Sequence, residues 1–355
     1  MKIVSVPAKR PYEIFIEYGC LDRAGEITAR KRAEELLELE SEEGALITAG
    51  KVCIVTDKDI SSLYLEELRV SFRSGGFDVC NFVIDGGENS KTMSMAHSLA
   101  EFLGEMGFTA SDLIVALGGG IVQDLAGFTA GFYLGGIDYV QIPTSVTAAL
   151  SAGISGKAYV NLSEGKNLAV CSIDPFCVIT DPGCFDTIPL DKYHAGFAEA
   201  VKIGIVSDRF MFESFELGSF DTVDVISKAL AAKARLLVHE DEKDFYELGE
   251  SLASAVQIAS GYDISHGDAL AIGLYASAKA AGSVKLCDRI YRTLSITGLP
   301  VSCDIPKEEI LAQLSLDKNI RGGIMKVVIP LRIGECEIRE MTVEDAKAFF
   351  SKGLE

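Results

Sequence analysis

The segment LIVALGGGIVQDLAGFTAGF, residues 113–132, constrains the fold of this chain more than any other feature. An apolar run typical of a buried strand leads into three glycines and then into a segment with helical spacing. Glycine lacks a Cβ atom, so a phosphate group can approach the backbone closely and bind the free N–H groups at the helix start. The segment therefore predicts a strand–turn–helix unit with a nucleotide site at its turn. It also fits a simple packing turn, because it has neither GxGxxG spacing nor the GK[ST] of a P-loop.

Strand-like runs alternate with helical ones through the first half of the chain. The strand-like runs are KVCIVTD, FDVCNFVID, LIVAL, DYVQIP and FCVITD. Such alternation predicts a mostly parallel sheet covered on both faces, which binds nucleotides at the carboxyl ends of its strands. Helical spacing dominates from residue 190 to 300, and a strand signal returns only in MKVVIPLRI before a final helix. We therefore predict an α/β, Rossmann-like domain over residues 1–184 and a mainly α-helical domain over residues 185–355.

Composition narrows the class of protein further. The 355 residues are 48% hydrophobic with a mean hydropathy of +0.24, which predicts a large core rather than disorder. A net charge of −19 argues against nucleic-acid and anionic-membrane partners, since both require clustered lysine and arginine. Nine scattered cysteines without a CxxC pair predict reduced thiols. No signal peptide or membrane-spanning run is recognisable, so we expect a cytoplasmic protein.

Polar residues cluster near the glycine turn and near two segments further along the chain. Asp57 ends one strand-like run, and Glu88 and Lys91 follow another in IDGGENSK. Residues 143–167 are polar where a core segment would be apolar, and they fit either a phosphate site or a solvated loop. Glu199 and Lys202 are spaced as a helix ion pair, which competes with a catalytic interpretation. Of the four histidines, at 97, 194, 239 and 266, His266 precedes a strongly apolar helix.

Six blocks, taken in order, resemble the 3-dehydroquinate synthase family of sugar phosphate cyclases. They are GGGIVQDLAGFTAGFYLGG, QIPTSVTA, SGKAYVNLSEGKN, DTIPLDKYHAGFAEAVKIG, ISHGDALAIG and DKNIRGG. The resemblance covers nearly the whole chain and implies the dehydroquinate synthase-like fold. It also implies a homodimer that uses NAD and a divalent metal, usually zinc. The implied reaction is cyclisation of a phosphorylated sugar acid, 3-deoxy-arabino-heptulosonate 7-phosphate, to 3-dehydroquinate with loss of phosphate, a lyase step of the shikimate pathway to aromatic amino acids.

The resemblance also implies roles for individual residues. The residues implied to contact NAD are Asp57, Glu88, Lys91, Gly119, Gly120, Asp124, Thr144, Ser145, Lys166 and Thr187. The residues implied to hold the substrate are Lys157, Asn167 and Lys202. The implied metal ligands are Glu199, His266 and Glu250.

The sequence departs from the family pattern in the substrate and metal half. Glu250 replaces the first histidine of the family's GHTxGH motif, Ser254 replaces the second, and Glu247 replaces the asparagine before them. Gly135 stands where the family has a phosphate-binding arginine, and Ser151 replaces an aspartate. A Glu–Glu–His set still binds a metal, but its oxygen-rich donors weaken the preference for zinc over manganese, iron or magnesium.

Three functions follow as hypotheses. The chain is a divergent cyclase, acting either as a 3-dehydroquinate synthase or on another phosphorylated sugar. Alternatively it is an NAD-dependent polyol dehydrogenase, which the GKN and PTS blocks disfavour. The third hypothesis is an NAD-binding paralogue with impaired catalysis, which the altered motifs favour.

Overall fold

The structure is a computed structural model that describes residues 1–38, 50–163, 165–218, 220–238, 243–317 and 319–355. His239, one of the four histidines, and Lys318 of the DKNIRGG block lie outside these ranges. The chain divides into two compact units, Met1–Thr187 and Ile188–Glu355. The boundary predicted from sequence lies between residues 184 and 185.

A seven-stranded sheet forms the centre of the first unit's described part. Its strands are β1 Lys2–Val6, β2 Tyr12–Ile16, β3 Lys51–Asp57, β4 Asp78–Ile84, β5 Leu113–Gly118, β6 Asp138–Pro143 and β9 Cys177–Thr180. Their order is β1-β2-β9-β6-β5-β3-β4, and every pairing is parallel except β1 with β2. The predicted α/β, mostly parallel fold is therefore confirmed.

Helices cover this sheet in the order that the alternating sequence predicts. They are α1 Ala24–Glu38, α2 Lys58–Ser74, α3 Met93–Glu105, α4 Gly120–Phe132 and α5 Val146–Leu150. Strand β5 is buried at all six positions, and the core on one side of it includes Leu99 and Leu103 of α3 and Leu125 of α4. Burial of these apolar side chains stabilises β5 in the centre of the sheet. The strand ends at the glycine turn.

The end of the polar segment over residues 143–167 forms a β-hairpin rather than a loop. Strands β7 Lys157–Leu162 and β8 Gly165–Ser172 pair antiparallel, and β7 packs against α4. Alternate residues of β7, such as Ala158 and Val160, are buried while their neighbours are more exposed. Period-two burial of this kind is the signature of a strand with one face on the core.

The second unit is mainly helical, as predicted. Its helices are α6 Leu190–Val206, α7 Arg209–Glu216, α8 Thr222–Val238, α9 Glu250–Ala259, α10 His266–Ala281, α11 Val284–Ile296, α12 Lys307–Gln313 and α13 Val343–Ser351. The predicted strand β10 Ile324–Arg332 pairs with a second strand, β11 Glu335–Thr342, which the sequence analysis missed. Charged residues interrupt β11 on its exposed face, so it shows little apolar alternation. In the described residues, no helix is long and apolar enough to cross a membrane.

Candidate functional site

The glycine turn lies at the carboxyl end of the central strand, where a parallel sheet binds nucleotides. Strand β5 ends at Gly118 and α4 begins at Gly120, with Gly119 at the N-cap and without a side-chain cap. A Cβ on Gly119 would meet only the Ser145 Oγ, at 4.0 Å, and a Cβ on Gly120 would meet nothing within 4 Å. Open space above an uncapped helix start fits a dinucleotide phosphate.

Lys91 is the buried centre of a polar network beside this turn. Its Nζ donates to Asp124 Oδ2 at 2.9 Å and to Asn167 Oδ1 at 2.7 Å, and its side chain is only 5% exposed. The other Asp124 oxygen, Oδ1, accepts from the Tyr159 backbone N–H at 3.2 Å. Burial raises the pKa of Asp124, and the Lys91 charge partly offsets this rise. The network ties the loop after β4 to α4 and to the β7–β8 hairpin.

Glu88 extends the network to two further polar side chains. Asn161 Nδ2 donates to Glu88 Oε1 at 2.8 Å, and Lys166 Nζ lies 3.4 Å from Glu88 Oε2. Burial opposes ionisation of Glu88, but the Asn161 hydrogen bond and the charges of Lys91 and Lys166 outweigh it and lower its pKa. Glu88 is therefore an ionised acceptor beside the glycine turn.

The other residues predicted to contact NAD have local structural partners. Asp57 ends β3 and caps α2 by accepting from the Ile60 N–H at 2.9 Å, and Ser145 caps α5. Thr144 is buried and its backbone N–H donates to Gly118 O at 3.1 Å. Thr187 Oγ1 lies 2.8 Å from the Tyr64 hydroxyl. Asp57, Thr144 and Ser145 therefore belong to the same sheet edge as the glycine turn.

Lys157 is exposed and begins β7. The same strand contacts the Lys91 network further along, through the Tyr159 backbone N–H, which donates to Asp124, and through Asn161. Lys157 therefore lies two residues from the first of these contacts, on the hairpin that also carries Asn167.

A second polar cluster lies in the helical unit. Glu199 and Lys202 are both buried on α6, and Glu199 Oε2 lies 2.8 Å from Lys202 Nζ. Lys202 Nζ also donates to Glu250 Oε1 at 2.6 Å. The two carboxylates hold the pKa of Lys202 above its ordinary value despite burial, which by itself would lower it. Lys202 therefore lies as a buried ammonium between two carboxylates.

Glu250 and His266 reach this cluster from the first residues of α9 and α10. Both therefore lie at the positive end of a helix dipole. Their Oε2 and Nε2 atoms are 3.9 Å apart. A Cβ on Gly267 would lie 2.0 Å from the Ala195 carbonyl oxygen, so only glycine lets α10 approach α6 this closely. Asp268 accepts from the Ser265 hydroxyl at 2.7 Å and completes the cap of α10.

Two residues of this cluster, Lys233 and Tyr246, were not predicted from the sequence. Lys233 Nζ lies 3.3 Å from Glu199 Oε1, and the Tyr246 ring centroid is 5.5 Å from Lys233 Nζ and 6.0 Å from Lys202 Nζ. Both distances fall within the range of cation–π attraction. Burial lowers the pKa of Lys233, as does the Lys202 charge, while Glu199 opposes the change. The available signal was a lysine on the apolar face of a helix, in VISKALAAKARLLV, where a charge without a partner would be costly.

The side chains of this cluster include groups that can bind a divalent cation. Two carboxylates and an imidazole are established metal ligands, and the Lys202 ammonium occupies a cation position between the carboxylates. Within the described ranges, no three such ligands are already grouped as a metal site. The lysines, rather than a ligand triad, neutralise the carboxylates in this structure.

Several solved structures share this fold. A 2-deoxy-scyllo-inosose synthase, solved with carbaglucose-6-phosphate, NAD+ and Co2+, superposes with a TM-score of 0.82 at 21% identity, covering 99% of this chain and 100% of that one. The 2-epi-5-epi-valiolone synthase of Streptomyces hygroscopicus subsp. jinggangensis, solved with NAD+ and Zn2+, gives 0.80 at 21% identity and 96% coverage of both chains. A probable glycerol dehydrogenase from Sinorhizobium meliloti is less similar, at 0.65 and 14% identity over 99% of this chain and 98% of that one. These structures show the fold of this chain, which synthases and a dehydrogenase share.

Sequence comparison then identifies the family. Residues 81–195 match the 3-dehydroquinate synthase N-terminal profile and residues 196–320 the C-terminal profile. The 3-dehydroquinate synthase of Thermoanaerobacter sp. (strain X514) is 32% identical over 97% of this chain and 98% of its own length. That of Streptococcus pneumoniae (strain ATCC 700669 / Spain 23F-1) is 35% identical over 99% and 100%. The chain belongs to the 3-dehydroquinate synthase family, as the six sequence blocks predicted.

Proposed function

We propose that this protein is a 3-dehydroquinate synthase, a carbon–oxygen lyase that converts 3-deoxy-arabino-heptulosonate 7-phosphate to 3-dehydroquinate and phosphate. One observation carries the proposal. Enzymes of that name are 32–35% identical to this chain over nearly the whole length of both partners. The buried network at the glycine turn and the lysine–carboxylate cluster of the helical unit support it.

NAD is the proposed cofactor of the first unit. The glycine turn would receive its pyrophosphate, with Asp57, Glu88, Lys91 and Lys166 supplying polar contacts around it. Asp124, Thr144, Ser145 and Thr187 complete the proposed set. When bound, NAD supplies a hydride acceptor that oxidises a substrate hydroxyl for the elimination of phosphate and then returns the hydride.

A divalent metal is the proposed second cofactor. Glu199, Glu250 and His266 would hold it, and it would supply stabilisation of a developing oxyanion. Placement of Glu250 and His266 at helix N-termini favours the carboxylate of Glu250 and keeps both groups at fixed positions. Since one histidine of the family triad is replaced by Glu250, we expect a harder cation such as manganese to serve at least as well as zinc.

Lysine and amide side chains are the proposed substrate contacts. Lys202 and Lys157 would each offer an ammonium group to an anionic oxygen, and Asn167 would offer hydrogen bonds. Because Gly135 carries no guanidinium, phosphate recognition here depends on point charges rather than on a bidentate arginine. This weaker anchor favours a high KM for the phosphorylated substrate.

Assembly and location complete the proposal. We propose a homodimer, as the family resemblance implies. We also propose a cytoplasmic location, because all nine cysteines are free and thiols persist in reducing compartments.

The activity is tested by phosphate release. Purified protein is freed of metal, reloaded with Zn2+, Co2+ or Mn2+, and incubated with NAD and 3-deoxy-arabino-heptulosonate 7-phosphate. We expect metal-dependent release of phosphate from this substrate and none from an aldohexose 6-phosphate. Release from the aldohexose phosphate alone would assign a different cyclase, and NAD binding without release from either would assign the impaired paralogue.

A further inference from the structure

In the lysine–carboxylate cluster, formed by Glu199, Lys202, Lys233 and Glu250, the Lys202 ammonium lies between the two carboxylates that would hold a metal ion. Lys202 Nζ lies 2.8 Å from Glu199 Oε2 and 2.6 Å from Glu250 Oε1. A metal ion binds carboxylate oxygens at about 2.0–2.2 Å. One point between these oxygens cannot hold an ammonium nitrogen and a metal ion together.

Charge balance also argues against the Lys202 ammonium and a metal ion occupying this cluster together. Glu199 and Glu250 contribute two negative charges, and Lys202 and Lys233 contribute two positive charges that pair with them. The Lys202 side chain is 3% exposed and that of Glu199 8%. A divalent cation entering this neutral, buried cluster adds two positive charges, which is costly unless an ammonium group moves or an anion follows.

We propose that Lys202 and a divalent cation are alternative partners of Glu199 and Glu250, so that metal loading displaces the Lys202 ammonium and prepares it to bind an anion. The flexible four-carbon stem of lysine permits such a displacement without movement of α6. Once displaced, a buried ammonium requires a counter-ion. Metal binding and anion binding at this site are therefore positively coupled, and the coupling is reciprocal.

This inference rests on the proposed function for the identity of the anion, which would be the substrate. The two oxygens of Glu250 make the exchange possible. Oε1 contacts Lys202, while Oε2 is 3.9 Å from His266 Nε2 and faces a second potential ligand. A histidine at residue 250, as in the family pattern, would not provide Lys202 with this counter-charge.

Binding measurements without turnover test the proposal on the full chain. Mn2+ is the metal probe and inorganic phosphate the anion probe, both titrated calorimetrically into metal-free protein. We expect Lys202→Met to bind Mn2+ about tenfold or more tightly than wild type, because the competing cation is gone. Lys233→Met is the matched control, and its effect should be smaller because Lys233 Nζ lies farther from Glu199, at 3.3 Å, than Lys202 Nζ does, at 2.8 Å.

Coupling is the second readout. In wild type, Mn2+ should raise the phosphate affinity about fivefold or more, whereas Lys202→Met should lose this increase. If Lys202→Met fails to fold, Lys202→Gln replaces it, since an amide can still donate to one carboxylate. Equal or weaker Mn2+ binding by the Lys202 variants, or phosphate binding indifferent to Mn2+ in wild type, would overturn the proposal. Failure of the proposed synthase activity would leave these binding results unchanged, so the two failures are distinguishable.

Discussion

At the residue scale, buried charge distinguishes the candidate sites from the many surface ion pairs of this acidic chain. Lys91 is 5% exposed and donates to Asp124 and Asn167, whereas Lys58 pairs with Asp85 where both side chains are 72% exposed. Exposed pairs contribute little to stability because water and salt screen them. The Lys91 ammonium is shielded from water, so water cannot take the place of its two acceptors.

Replacement of Lys91 should therefore cost far more than replacement of Lys58. We expect Lys91→Met to lower the free energy of unfolding by about 3–5 kcal/mol, because it leaves the Asp124 carboxylate buried without its cation. Lys58→Met should unfold close to wild type in the same urea titration at neutral pH. Equal losses in the two variants would show that the Lys91 network is solvated.

Glu88 makes the stability of the first unit depend on pH. Its pKa is lowered in the folded chain by the Asn161 hydrogen bond and two lysines, against the effect of burial. The unfolded chain therefore binds this proton at a higher pH than the folded chain, so the stabilisation exists above the ordinary pKa of glutamate and is lost as the pH falls through the folded value. Wild type should be more stable than Glu88→Gln at pH 7, and acid should remove the difference. A stability difference between wild type and Glu88→Gln that stayed constant from pH 7 into acid would contradict the lowered pKa of Glu88.

At the scale of elements, the start of α4 lacks the capping side chain that would stabilise the helix. Gly119 is at the N-cap with backbone angles that any residue can adopt, φ −74° and ψ −174°, yet it provides no capping side chain. Aspartate is among the best N-cap residues, and its carboxylate would occupy the position proposed for a phosphate. The helix therefore has no side-chain cap at the position where a bound phosphate could accept from its free N–H groups.

Gly119→Asp separates these two effects. The variant should unfold at or above the wild-type temperature without ligand, because the helix gains a cap, and it should lose measurable NAD binding. Gly120→Ala is the milder control, since its Cβ would meet nothing within 4 Å. If Gly119→Asp bound NAD with wild-type affinity, the NAD pyrophosphate would not bind at this turn.

The close approach of α10 to α6 is the second element on which the site depends. In Gly267→Ala the new Cβ must move away from the Ala195 carbonyl, so we expect a loss of about 1–3 kcal/mol in unfolding free energy and weaker metal binding as His266 shifts. Gly104→Ala, in a helix where a Cβ would meet nothing within 4 Å, should be neutral or stabilising. Chemical unfolding and metal titration of both variants check this, and a neutral Gly267→Ala would contradict the packing argument.

At the scale of the whole molecule, the sequence predicted the sheet, the helical second half and the family. Those features depend on periodicity and on motifs local in the chain, such as the run that becomes β5 and α4. Strand β11 and the β7–β8 hairpin were missed because their exposed faces weaken the alternation. Lys233 and Tyr246 were missed because the residues they contact, Glu199 for Lys233 and Lys202 for Tyr246, are remote in sequence and only the fold brings them together. The sequence also could not show that Lys202 lies between Glu199 and Glu250.

The central claim is that this family member still performs the complete cyclase reaction despite Glu250 and Gly135. The most direct measurement follows phosphate and NADH together during turnover of 3-deoxy-arabino-heptulosonate 7-phosphate by the metal-loaded protein with NAD. We predict one phosphate released per molecule of substrate consumed, formation of 3-dehydroquinate, and no net NADH at completion, since the hydride is returned. Stoichiometric accumulation of NADH, or phosphate released without 3-dehydroquinate, would contradict the account.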